Sequence, residues 1–340
     1  GITLGDATGA GSIRYNLDTS FTLATPVTFA NSGSGFIWQG KDADDVLTVT
    51  GALGSAATTG TIRVNSGSLT AASGANIKAL NLQTGSTPTA NAAGVVGTFN
   101  ILPGSSVTTR FFDIGQGAGN GGRVDQSGGL VTIEVGGTGF RIGHWDNGVS
   151  PGNVYNLSGG TLDASVTAVN VGWDGQADMT VGGGTGTATL KAGSIAVDAN
   201  GNTTTKNDTL TLSPNGVIEV SGAVATASAE DKFFLNGGLM RATANSTWSA
   251  GFTLNPGTTS TFDVPAGVTT NLSGLLLNPA GMDPEQVAGG NLNVTGDGIF
   301  LMSTLGHTAT GNFTRTGGTF AGNSTLSGTV TLNSTISPEE

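Results

Sequence analysis

The chain of 340 residues has no cysteine and only two histidines, His144 and His307. No disulfide can staple it, and a Cys or multi-His zinc site has no ligand set to draw on. Charge is scarce as well. Charged residues make up 10% of the chain, with 12 Lys and Arg against 23 Asp and Glu, for a formal net charge of −11. The few basic residues are scattered, which argues against nucleic acid and anionic membrane surfaces as partners, since both need clustered Lys and Arg. No apolar run approaches the roughly 18 residues of a membrane-spanning helix, so membrane insertion is not expected. An apolar, heptad-like or 3.6-residue rhythm is also missing, and no long helix is expected.

Glycine is plentiful: 58 residues, about 17% against roughly 7% in average proteins. It follows no three-residue period, so a collagen helix is excluded. Hydrophobic residues reach 36%, too many for disorder at so low a charge. The expected core is built from many small aliphatic side chains. The opening Gly1-Ile2-Thr3-Leu4 already alternates like a strand, and the absence of a leading Met or signal suggests a processed protein or a segment of a larger precursor.

An internal repeat organises the chain. Phe112-Asp113-Ile114-Gly115, Phe140-Arg141-Ile142-Gly143, Val169-Asn170-Val171-Gly172 and Ile195-Ala196-Val197-Asp198 place an Ile or Val at 114, 142, 171 and 197. The spacings are 28, 29 and 26. A second marker interleaves with the first: Gln126-Ser127-Gly128-Gly129, Leu157-Ser158-Gly159-Gly160 and Val181-Gly182-Gly183-Gly184. Between markers the residues alternate apolar and polar, which places Val, Ile, Leu and Ala inward and Thr, Asn, Ser and Asp outward. Short alternating strands joined by glycine corners describe a solenoid. The expected fold is all-β: a right-handed parallel β-helix with three short strands per coil and about 12 coils of about 28 residues. It forms one solenoid over 1–340, with N-terminal coils over 1–50, a repeat body over 51–323 and a C-terminal strand segment over 324–340.

Ser158-Gly159-Gly160-Thr161-Leu162 with Val169-Asn170-Val171-Gly172 resembles the autotransporter-associated β-strand repeats of secreted Gram-negative proteins, some of which carry PEP-CTERM sorting tails. The stretch Leu326-Ser327-Gly328-Thr329-Val330-Thr331-Leu332-Asn333-Ser334-Thr335-Ile336-Ser337-Pro338 is similar to their closing segment. The resemblance covers about 45–338, loosely before 99 and between 220 and 285. It implies secretion, a right-handed β-helix and a passenger-like or surface role; no barrel translocator or sorting tail is recognisable.

Candidates for chemistry are few. Trp145-Asp146 and Trp173-Asp174 lie 28 residues apart, so the two acids can stack on successive coils beside two sugar-stacking tryptophans. The competing reading is a repeated Asp-Gly turn with Trp over the corner. Asp198, Asn200 and Asn202 imitate the start of a calcium loop, and Asp42, Asp44 and Asp45 form a second oxygen-rich turn; Ca²⁺ is the one cofactor with a foothold. Neither histidine has a visible partner, His307 reads as part of a polar loop, and Arg141 reads as an ordinary outward residue. The ends carry more. Ile2 and Leu4 alternate at one terminus, and Leu326, Val330, Leu332 and Ile336 share a face at the other, so both sheet edges look open. The expectation is therefore an extracellular, non-enzymatic structural protein that adds to itself head to tail. A carbohydrate-binding adhesin on a surface or matrix polysaccharide is the alternative, and a pectate-lyase-like enzyme is the remaining one.

Overall fold

The computed structural model describes all residues other than 7, 43, 57–58, 86–95, 118–120, 135–138, 145–151, 200–206, 228–230, 280–288, 305–306, 327–328 and 338–340. Among the described residues there is no helix, and 32 strands join in one sheet. All their pairings are parallel. A β-helix or solenoid is compatible with this arrangement, and no helix is long and apolar enough to cross a membrane.

The in-register partners recover the repeat markers. Ile114 pairs with Ile142, Ile142 with Val171, Val171 with Val197 and Val197 with Thr226. The second marker pairs likewise, Gln126 with Leu157 and Leu157 with Val181. The 28-residue step belongs to this central block. Elsewhere the step varies both ways: Ile62 pairs with Leu82 and Ile218 with Met240, whereas Phe262 pairs with Val294, 32 residues on. Near the C-terminus Arg315 pairs with Leu332, an offset of 17. Parallel pairing resumes from coil to coil while the corners absorb most insertions and deletions, so the period drifts. Within paired strands the register shifts at Trp38/Gln39, Ala164/Ala168 and Thr316/Thr319.

Alternation sends every second residue into a single continuous core. Asn153–Leu157 buries Asn153, Tyr155 and Leu157, and Gly216–Val220 buries Gly216, Ile218 and Val220. The core is not only small aliphatics, as composition had suggested. Trp38, Trp248, Tyr155 and eight phenylalanines are among its fully buried side chains. In-register pairing stacks Phe112 on Phe140 and Phe233 on Phe252, and inward residues of neighbouring pairing series meet these across the core. Phe112 and Phe140 are direct partners, with ring centroids 5.7 Å apart, and Phe140 meets Tyr155 at 5.2 Å. A second cluster joins Phe233 to Phe252 at 4.9 Å and Trp248 to Phe262 at 5.0 Å. The edge-to-face pairs among these, Phe112–Phe140, Phe140–Tyr155 and Trp248–Phe262, add about 0.5–1.5 kcal/mol each beyond area burial.

The outward positions also form columns. Asp163, Lys191, Glu219, Arg241 and Asp263 are consecutive partners and alternate in sign. Arg241 reaches Asp263 at 2.7 Å and Glu219 at 3.4 Å, and Lys191 lies 4.0 Å from Glu219. A one-residue slip would break this alternation as well as expose the core, so both faces specify the same register.

Candidate functional site

The central block places the sequence-derived candidates as follows. Trp145 and Asp146 lie outside the described residues, as do Asn200 and Asn202. Trp173 and Asp174 are half-buried and hang on the preceding strand: the Trp173 N–H donates to the Ile142 carbonyl at 3.0 Å and the Asp174 N–H to that of Gly143 at 2.9 Å. The Trp173 ring faces the Arg141 guanidinium, 5.7 Å from the ring centroid. One face of this ring is thus in a cation–π contact.

Arg141 is not an ordinary outward residue. Its side chain is 14% exposed, and its Nε donates to Asp113 Oδ1 at 2.7 Å. Asp113 is its in-register partner one strand back, and Gln83 and Asn170 continue the column. All three of Gln83, Asp113 and Asn170 are buried. His144 Nδ1 lies 3.5 Å from Asp113 Oδ1. Burial holds the His144 pKa down at about 4, helped by the Arg141 charge and opposed by Asp174, so the imidazole is neutral at neutral pH. Burial raises the Asp113 pKa, and the bonded Arg141 pulls it back. A carboxylate 2% exposed and clamped by Arg141 ties neighbouring strands together; it is not presented to a polymer in solvent.

Sequence reasoning missed a second set of buried polar groups, at corners that open several strands of the Tyr155 series. The Gly122 N–H donates to Asn153 Oδ1 at 3.1 Å, and Asn153 Nδ2 donates to the Gln176 carbonyl at 3.0 Å. Further along, the Ala177 N–H donates to Asp208 Oδ1 at 2.7 Å, and the Asp208 N–H to Asp231 Oδ1 at 3.4 Å. His307 does the same for the Leu276 N–H, through Nδ1 at 2.9 Å. It is buried and not part of an open polar loop. Each side chain satisfies a backbone donor that the corner would otherwise strand. The readable signal was a single Asn or Asp directly before an alternating apolar strand, as in Asn153-Val-Tyr and Asp208-Thr-Leu.

The glycines facing these caps are obligatory. Gly115 and Gly172 have φ of +74° and +77°, and a Cβ on either would lie about 2 Å from the Asn153 amide or the Asp208 carboxylate. Asp208 itself is strongly perturbed. Burial raises its pKa to about 7, with Asp231, Asp198 and Asp178 adding in the same direction and the Ala177 N–H opposing. Asp198, one of the calcium candidates, therefore belongs to this acid-rich corner, with φ of +57°.

The other calcium candidate is partly assembled. Asp42 and Asp45 come together with Asp18, each offering a carboxylate oxygen within 4.8 Å of the others, while Asp44 is not in the group. Asp18 enters because Leu17 pairs with Gly40, which brings distant turns side by side. Lys41 Nζ is 2.5 Å from Asp18, and Asp45 Oδ2 accepts the Asp42 N–H at 2.9 Å. Lys41 offsets one of the three carboxylate charges.

At the two ends the inward residues lose their cover. Ile2 and Leu4 form part of the first strand and pair with Val27 and Phe29, with Leu4 buried and Ile2 half-buried. Leu326 and Leu332 pack partly buried against the core, whereas Val330 and Ile336 are 42% and 61% exposed. No family model, no curated protein and no solved structure matches this chain.

Proposed function

We propose that the chain is an extracellular structural protein, a subunit of a bacterial surface fibre joined end to end by β-strand addition. Its body is a right-handed β-helix with three strands per coil and about a dozen coils. The observation that carries this reading is the state of the last strand. Val330–Ser337 pairs with Phe313–Gly322 on one side, and no described strand pairs with its other edge. Its apolar side chains Val330 and Ile336 are among the most exposed large hydrophobics of the chain. An open, apolar, parallel edge recruits another strand. A head-to-tail contact that does not close by symmetry yields a filament.

The polar columns and aromatic stacks support a load-bearing role in the fibre rather than catalysis. The test is truncation. Removing 324–340 is expected to leave folded, soluble monomers by analytical ultracentrifugation, while the intact chain forms large assemblies. Assemblies that persist after truncation would contradict strand addition through this segment.

A further inference from the structure

A cleft of about 300 Å³ opens on the flank of the rod, lined from three successive corners. Its shape follows from corner length. Residues 227–231 carry the chain from Thr226 to Lys232, whereas only 249–251 separate Trp248 from Phe252 and only 273–275 separate Leu272 from Leu276. A shorter corner carries less chain across the surface, so the wall steps inward over those two coils. Gly274 permits the step, since a Cβ there would collide with the Ala250 carbonyl oxygen of the coil behind. The lining combines three kinds of group. Asp231 and Lys232 supply an acid and a base side by side; Asp231 is 4% exposed, and its Oδ1 accepts the Asp208 N–H at 3.4 Å. Hydroxyls of Thr226, Ser249 and Ser273 come from the side where the chain enters the corners. Leu275 and Leu277, both half-buried, come from the side where it leaves.

The apolar wall is particular to these coils. In the outward column that holds Leu277, every rung from Thr22 to Thr211 is Thr, Asn or Asp, and the column then reads Phe234, Thr253 and Leu277. Outward apolar side chains fill no core, and grouped beside a cleft they mark a ligand surface. We infer that the cleft binds a short neutral saccharide, one ring face against Leu275 and Leu277 and the ring hydroxyls on Asp231, Lys232 and the serines. Among the described residues the lining carries one charge of each sign, so a charged ligand gains no advantage. A carboxylate accepts hydrogen bonds and an ammonium donates them, which together suit vicinal hydroxyls that do both. Such charge-assisted bonds are about twice as strong as neutral ones. The volume lies at the low end of small-ligand sites, which start at about 300 Å³. This site lies on the flank of the rod and is independent of end-to-end assembly.

Isothermal titration calorimetry of the full chain tests the site. The probes are neutral hexose oligosaccharides of gluco, galacto and manno configuration, with a hexuronate oligosaccharide and the zwitterion glycylglycine as competitors. At least one neutral oligosaccharide is expected to bind. Ser249→Trp fills the cleft from an exposed position and should weaken that binding by at least about tenfold, with the melting temperature unchanged. Ser303→Trp, in the coil after Ser273 and outside the lining, should leave the binding as it is in the parent. No binding of any neutral oligosaccharide, equal binding by the two tryptophan variants, or tighter binding of the hexuronate or of glycylglycine would overturn the inference. None of these results bears on whether the rods form fibres.

Discussion

Two buried polar clusters, built on the same scaffold, surround an acid whose pKa burial raises with partners of opposite kind. Around Asp113 the acid meets a base: Arg141 bonds it, and neutral His144 packs beside it. Around Asp208 the acid meets other acids, Asp231, Asp198 and Asp178, and a backbone N–H. Asn153 occupies an equivalent corner with no charge at all and makes the same backbone hydrogen bond. Capping the corner therefore does not need a carboxylate, and the one at Asp208 adds a pH dependence that the cap alone would not have. Burial raises both acids first; Arg141 then pulls Asp113 part of the way back, whereas the neighbouring acids push Asp208 further up.

The sharpest way to break the comparison is at the base. Arg141→Ala strips Asp113 of its counter-charge in a buried place, and unpaired buried charges cost roughly 3–5 kcal/mol. Chemical denaturation should show a loss of that size, whereas Arg241→Ala, in the half-exposed outer ladder, should cost less than about 1 kcal/mol. Equal losses would remove the distinction between the two settings. Of similar or slightly smaller size is Gly172→Ala, which forces a side chain into φ +77° and against Asp208, for about 3 kcal/mol of strain and clash.

Asp208→Asn should act in the other direction, and only over part of the pH range. The folded pKa of Asp208 is about 7, above the ordinary 3.8. Folding therefore favours the protonated acid, and the stability it contributes is present below pH 4 and lost as pH rises through 7. The loss is on the order of 2–4 kcal/mol. The variant should be more stable than the parent at pH 8 and nearly equal at pH 4, as read by thermal melts. A pH-independent difference would show that the acid is not titrating there. His144 runs the opposite way: its folded pKa of about 4 lies below the ordinary 6.5, so its contribution is intact above pH 6.5 and is lost as pH falls toward 4. His144→Gln should flatten that acid limb by about 1–3 kcal/mol, the smaller of the two effects.

These clusters also mark where the sequence was legible. The registers through Ile114, Ile142, Val171 and Val197 could be read because glycine corners and period-two alternation repeat together. The short steps, such as Ile218 to Met240, could not, since a corner can lose residues without disturbing the strands it joins. Alternation placed Arg141 on the outer face correctly. It could not show that Asp113 and Trp173 would enclose it there, because that depends on which strand lies next door. Asp18 was overlooked for the same reason: it meets Asp42 and Asp45 only through the pairing of Leu17 with Gly40. The burial of Asp208 and Asp231 follows from the fold and not from their neighbours in sequence.

The claim on which the proposed function depends is that subunits join end to end, and cryo-electron microscopy of the purified chain tests it most directly. With about 13 steps of roughly 4.8 Å between the first and last strands, the account predicts filaments with an axial repeat of about 65–70 Å and strand spacing continuous across each joint. Isolated rods of about 60 Å at assembly-permissive concentrations, or filaments whose subunits touch along their sides, would contradict it.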